Sequence, residues 1–144
     1  MRIVLKTKVN QDYKKVFPQF DLKLFLALKP PFLPVILDRF DGSKKNNQVH
    51  MRINLIIKKE KWITIIIDEG EKDNELYFID EANVLPFFLT KWIHKHRIIK
   101  NDGGSIIIDD VFFETPHFIF TVFLYPVFLI QFLYRKPIYK KYFK

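Results

Sequence analysis

Cysteine is absent from this chain of 144 residues, which excludes a disulfide framework, thiolate zinc sites and a cysteine nucleophile, although it does not distinguish one cellular compartment from another. Glycine and proline are scarce, at 4 and 8 residues, and charged residues make up 28%. That balance excludes collagen-like, low-complexity and mostly disordered chains. Zinc-protease, phosphate-loop, dinucleotide-binding and nucleophile-elbow motifs are also missing, so the common enzyme classes lose their sequence support. No internal repeat or Gly/Ser/Pro-rich linker interrupts the chain. Because 49% of the residues are hydrophobic, a single domain spanning residues 1–144 with its own buried core is expected. The opening Met1-Arg2-Ile3-Val4-Leu5-Lys6 has too short an apolar run for a secretory signal, and a cytoplasmic location is the expectation.

The net charge of +8 is unevenly placed. Residues 1–117 carry 19 basic and 16 acidic side chains, whereas residues 118–144 carry Arg135, Lys136, Lys140, Lys141 and Lys144 and no acid. A basic tail of this kind suits an anionic membrane surface. Its interleaved Tyr139, Tyr142 and Phe143 could also stack on bases, but nucleic acid is the less favoured partner, since the tail follows a long uncharged aromatic stretch. A genome-wide bias toward Lys, Ile, Phe and Asn, with only two Ala, would explain the excess without any partner.

Arg2 to Val9 reads as an opening strand. From Gln11 to Leu28, apolar residues at Tyr13, Val16, Phe17, Phe20, Leu24 and Leu28 follow a helical step. Two short helices are predicted, broken near Pro18 and restarted with Asp21 as N-cap, and Lys29-Pro30-Pro31 stops the second. Val35 to Glu114 then reads as an antiparallel meander of about six strands. Its clearest alternation runs from Val49 to Ile57, with His50 on the polar side. Turns are expected at Asp41–Ser43, Lys58–Lys61, Asp68–Asn74, Glu81–Phe87 and Asn101–Gly104. The strand Trp62–Ile67 is apolar on both faces, which would suit cover by a second copy of the chain and a homodimer.

Phe118 to Tyr134 holds no charge in 17 positions. As a helix it would extend ~26 Å, just short of a ~30 Å bilayer core. A membrane anchor, a helix lying in the membrane surface and a helix covering the sheet are all compatible with it. The last is favoured, because the strands need a cover for their apolar face. Pro137 is expected to break or kink this helix. The resulting architecture is α+β: a curved antiparallel sheet of about seven strands wrapped around a long C-terminal helix, with two short helices after the first strand.

Phe78-Ile79-Asp80, Pro86-Phe87, Trp92-Ile93-His94-Lys95-His96-Arg97 and Asp109-Asp110-Val111-Phe112-Phe113-Glu114-Thr115-Pro116 appear in this order. With Leu28-Lys29-Pro30-Pro31 and Arg39-Phe40-Asp41-Gly42, they resemble the SRPBCC ligand-binding family of the START-like, birch-pollen-allergen superfamily. The resemblance covers nearly the whole chain. Leu85 stands where many relatives have glycine before the Pro-Phe pair, which puts the tightness of that turn in doubt. The resemblance implies a helix-grip fold and binding of an apolar small molecule or lipid between sheet and helix.

On one strand, Trp92, His94 and His96 share a face opposite Ile93, Lys95 and Arg97, and the histidine face is expected to point inward. A two-residue loop at Asp102-Gly103 would place Asp109 opposite His96 and Val111 opposite His94, with Asp110 pairing on the basic face. A loop at Gly103-Gly104 keeps the same faces, whereas a three-residue loop would exchange the aspartates. The expected ligand-binding residues are Asp80, Trp92, His94, His96, Asp109, Val111, Phe113, Phe120, Leu124 and Phe128. Three roles are open to the polar group: orienting a ligand, acid–base chemistry of a cyclase or dehydratase type by His94, His96 and Asp109, or metal binding by His-x-His with Asp109 as third ligand. The first is preferred, and no metal, cofactor or enzymatic activity is expected. His50 and His117 lie too far from the set to join it.

Overall fold

A computed structural model describes residues 1–31 and 33–144. Strand β1 (Arg2–Val9) leads through the short helix α1 (Tyr13–Val16) and a 3₁₀ turn (Phe17–Gln19) to α2 (Leu22–Leu28). Strands β2 (Val35–Phe40), β3 (Gln48–Asn54), β4 (Lys59–Lys72), β5 (Glu75–Val84), β6 (Lys91–Asn101) and β7 (Gly104–Glu114) follow, and α3 (Phe118–Tyr142) closes the chain. Each strand from β2 to β7 pairs antiparallel with the next, and β1 returns to pair with β7, giving the order β1-β7-β6-β5-β4-β3-β2.

The two short helices α1 and α2 start where the sequence supplies caps. The Asp12 side chain accepts from Lys14 N at 2.9 Å and that of Asp21 from Leu24 N at 3.0 Å, each satisfying an otherwise orphaned amide. Two hairpins turn in two residues. Asp73 and Asn74, with φ of 50° and 63°, adopt the left-handed conformation that matches strand twist. Asp102-Gly103 closes the other, with Asn101 paired to Gly104. Gly104 lies so close to β1 that a Cβ there would come within 2.1 Å of the Val9 carbonyl oxygen, so only glycine permits this approach. Register shifts at Leu37/Arg39, Ile63/Thr64 and Ile66/Asp68 place an extra residue on β2, β5 and β4 in turn, and the bends they introduce let the sheet curve around α3.

Several boundaries depart from the sequence expectations. The turn expected at Lys58–Lys61 lies three residues earlier, where Leu55 N donates to Lys58 O at 2.9 Å and places Ile56 and Ile57 at a fully exposed tip. In place of a turn over Asp68–Asn74, β4 continues to Lys72. Charges in this stretch are solvated at the exposed end of a long hairpin, where alternation with apolar residues is not required. Strand β5 likewise extends to Val84, into the expected Glu81–Phe87 turn. Pro137 does not end α3. Tyr139 and Phe143 beyond it have no exposed surface, and this packing offsets the lost backbone hydrogen bond. Ile63 and Ile65, on the outer face of β4, are half-buried within the single chain, while Ile67 at the bulge is exposed.

Two apolar clusters fill the concave side. One joins α1, α2 and the end of α3 to Ile66, Phe78, Ile98 and Ile107. The other joins the middle of α3, through Phe128 and Phe132, to Trp62, Trp92, Val111 and Phe113. His96 stacks on Phe78 of the first at 4.1 Å between ring centres, and His94 meets Phe132 of the second edge-on at 5.1 Å. The polar group therefore sits at the seam between two apolar masses.

Candidate functional site

Strand alternation brings Asp80, His94, His96 and Asp109 to the inner face from three neighbouring strands. Asp80 stands opposite His94, and Asp109 opposite His96, as a two-residue Asp102-Gly103 loop requires. The hydrogen bonds run diagonally to this register. His94 Nε2 lies 2.9 Å from Asp109 Oδ1, and His96 Nε2 lies 2.7 Å from Asp80 Oδ2. A carboxylate can only accept, so both Nε2 atoms carry a proton, and in a neutral ring Nδ1 is then the atom with the free lone pair. The His94 Nδ1 lies 3.9 Å from Asp80 Oδ2, while that of His96 is buried without any partner.

Asp109 also receives the Tyr139 hydroxyl at 3.4 Å and Arg135 Nη1 at 3.5 Å, both from α3. Burial alone would raise its pKa. The His94 hydrogen bond and the Arg135 charge outweigh burial and hold it below the usual carboxylate range. Burial and the adjacent Asp109 push the Tyr139 hydroxyl up, so it remains a donor. For His96, burial first and the neighbouring His94 second bring the pKa down to about 4. The ring is thus neutral at physiological pH.

A pH dependence follows from His96. Its unfolded form takes up a proton near 6.5, while the folded form resists protonation down to about 4. As pH falls through that window the unfolded state binds more protons, so stability falls. Urea unfolding in EDTA-containing buffer should show the midpoint dropping steadily from pH 6.5 to 4. A midpoint that stays flat across this range would show that the ring is not held neutral.

Asp80, His94 and His96 form the inner end of a cavity of about 180 Å³ between the sheet and α3. At ~30 Å³ per water, such a volume corresponds to about six water molecules. Its walls are mainly apolar, with Leu24 and Leu28 from α2, Met51 and Ile53 from β3, and Phe128 and Phe132 from α3. Of the residues expected there, Asp80, Trp92, His94, His96 and Phe128 line the cavity. Asp109 lies behind His94, outside the lining, and Val111 and Phe113 are wholly buried in the core. Leu124 packs against that core, and Phe120 sits at the start of α3 beside His117 and Phe87.

Sequence reasoning missed Gln131 and Arg135, whose side chains enter from α3. Arg135 was grouped with the tail lysines as a surface cation. The structure instead turns it inward against Asp109 and the face of Phe132, with its Nε buried and unpartnered. The spacing of Phe128, Gln131, Phe132, Arg135 and Tyr139 along one helix face was the available signal. Asp110 points to the outer face as expected, but its partner is Arg2 of β1, at 2.6 and 2.8 Å, while Arg97 of the basic face pairs with Glu75.

A seven-stranded antiparallel sheet closed over one long C-terminal helix, with two short helices between β1 and β2, is also the arrangement found in solved structures. A protein from Nitrosospira multiformis matches with a TM-score of 0.60 at 7% identity, over 97% of each chain. Norcoclaurine synthase from Thalictrum flavum, solved with dopamine and hydroxybenzaldehyde, matches at 0.56 and 13% identity, over 88% of this chain and 76% of that one. The major latex-like protein 151 of Panax ginseng matches at 0.54 and 10% identity, over 81% and 80%. This chain has the helix-grip fold of the Bet v 1 and SRPBCC type. No protein-family model matches the sequence, and no curated protein matches it significantly. A helix-grip fold places its cavity between sheet and last helix, and here the chemistry of that cavity depends on this chain's own residues.

Proposed function

We propose that this helix-grip protein binds a small, mainly apolar molecule carrying one uncharged hydrogen-bonding group. The observation that carries this reading is an apolar cavity with unpartnered polar atoms on its lining residues. His96 Nδ1, Gln131 Oε1, Arg135 Nε and Trp62 Nε1 are all buried without a partner, and all four residues line the cavity. Leaving such groups unmade costs about 1–3 kcal/mol each, so a ligand hydroxyl or carbonyl able to meet them gains affinity beyond its apolar burial. The charged side chains on the cavity lining, Asp21 and Asp80 against Lys29 and Arg135, balance one another, which favours an uncharged ligand.

Titration with the neutral dye N-phenyl-1-naphthylamine tests the reading. Fluorescence should rise with saturable, micromolar binding, and Met51→Trp, which fills the cavity, should weaken it at least tenfold. A wild-type protein that never enhances the dye, or a filled variant that binds it equally well, would refute ligand binding.

A second reading, contact with an anionic membrane surface, is supported by the outward side of α3. Helix α3 is long and apolar enough to cross a bilayer, yet only 17% of its most apolar stretch is buried. Phe118 and Phe123 are 79% and 67% exposed, and Ile119, Val122, Ile130 and Leu133 accompany them at helical spacing. Ile56, Ile57 and Phe87 extend this surface from neighbouring turns, with Phe87 edge-on to Phe120 at 6.2 Å. Phe128, Phe132 and Tyr139 anchor the opposite face of α3 in the core, so the helix would lie along a membrane rather than span it. Lys58 beside this surface, and Lys136, Lys140, Lys141 and Lys144 at its far end, supply the attraction to anionic lipid.

A further inference from the structure

We infer that Asp80, His94 and His96 form a binding site for one first-row divalent transition-metal ion at the inner end of the cavity. Each residue offers one ligand atom, and the three atoms lie within 4.8 Å of one another. Bonds of ~2.0–2.2 Å to a shared ion bring ligand atoms to within about 4 Å, so small side-chain rotations complete the set. The backbone has already done most of the work. Asp80 and His94 are directly opposed across β5 and β6, and His96 follows two residues later on the same face.

Asp109 has a separate task. It accepts a hydrogen bond from Nε2 of His94, so that Nδ1, the nitrogen facing Asp80, is the one that can ligate. A histidine ligand whose other nitrogen donates to a carboxylate is both oriented and made more basic by it. Arg135 and Tyr139 in turn hold Asp109 from α3. The third ligand is therefore Asp80, where sequence spacing alone pointed to Asp109, and Asp109 is a positioning residue. The 2.7 Å hydrogen bond from His96 Nε2 to Asp80 would be exchanged for two bonds to the ion, with the Nε2 proton passing to the unpartnered Nδ1 as the ring changes tautomer. With two carboxylates facing one guanidinium, a cation also balances the charge at this end of the cavity.

Two imidazoles and one carboxylate suit zinc, iron(II), cobalt(II) or nickel(II). The set has too few oxygens for calcium or magnesium and no thiolate for softer ions. All three residues line the cavity, so the remaining coordination positions face the space where a ligand's polar end would lie. The inference is independent of the ligand reading, because the ligand set is complete without an organic guest.

The test uses the full chain freed of metal with EDTA and then dialysed, titrated with zinc(II) by calorimetry and with cobalt(II) by visible absorption. One ion per chain with micromolar or tighter affinity is expected, with magnesium not competing. His94→Gln and His96→Gln should each weaken binding at least 100-fold, and Asp109→Asn about 10–100-fold by loosening His94. Nitrogen NMR of the wild-type rings provides a readout that does not depend on variant folding: zinc should shift Nδ1 of His94 as a ligated nitrogen and leave Nε2 protonated. No uptake by wild-type protein, or uptake that leaves both rings unshifted, overturns the proposal. Dye binding repeated in EDTA reports on the apolar cavity alone, so failure of one reading is separable from failure of the other.

Discussion

Asp109→Ala should lower the unfolding free energy by about 3–5 kcal/mol, the cost expected when one partner of a buried charged pair is removed. The expectation rests on what the carboxylate holds together. A single oxygen, Oδ1, is 2.9 Å from His94 Nε2, 3.4 Å from the Tyr139 hydroxyl and 3.5 Å from Arg135 Nη1. Its loss strands three donors at once, among them a guanidinium whose Nε already lacks a partner. Asp109→Asn retains one acceptor of similar size and should cost less. If the penalty comes from the stranded charge, Asp109→Ala with Arg135→Leu should be more stable than Asp109→Ala alone, a coupling that a double-mutant cycle isolates. Urea unfolding of the four proteins decides the matter. A loss below about 1 kcal/mol in Asp109→Ala would mean that Arg135 reaches water readily and that α3 is not held at this point.

The second large effect concerns the outer side of the same helix. Phe118→Glu combined with Phe123→Glu should reduce partition into anionic vesicles at least 100-fold. Each Phe buried in a lipid interface contributes about 1.5–3 kcal/mol, and each new carboxylate is repelled by the surface. Both side chains are exposed, so the melting temperature should change little. Replacing Lys136, Lys140 and Lys141 by glutamine should remove most of the salt dependence, at about 1 kcal/mol for each lysine near the surface. Sedimentation with vesicles of anionic and neutral lipid measures both effects. Equal partition of the wild type into the two lipids would eliminate the electrostatic component, and unchanged partition of the double glutamate variant would show that α3 does not make the contact. Wild-type protein that ignores vesicles but associates with itself on gel filtration would assign the surface to a second copy.

The inward polar cluster and the outward apolar side of α3 were only partly legible in the residues. The Asp21 cap and the Asp102-Gly103 turn were readable because each is settled by a few neighbouring residues. That turn set the register, and the register placed His94, His96 and Asp109 on one face. The length of β4 was misjudged at Asp68 because its charges imitate a turn, and a hairpin extending into solvent accepts charge on either face. The tip at Ile56 and Ile57 was read as strand, since apolar alternation continues through it. No local rule predicts that hydrophobic side chains should occupy a fully exposed turn.

Arg135 shows where sequence reasoning stops. In the chain it is the first member of a basic tail, immediately after an uncharged stretch, and only its helical spacing from Phe128, Gln131, Phe132 and Tyr139 points inward. Only the docking of α3 across the strands brings it to Asp109, 26 positions away in sequence. Asp80 is similar, because its partnership with His96 depends on which strand lies beside β6. Sequence periodicity and turn chemistry determined the element order, the antiparallel register and the inward histidine face, since these depend on contacts between near neighbours and on the two-residue repeat of a strand. The composition of the buried polar cluster, the cavity beside it and the exposed apolar side of α3 were decided by tertiary packing, which alone sets how a helix face of nearly uniform hydrophobicity divides between core and solvent.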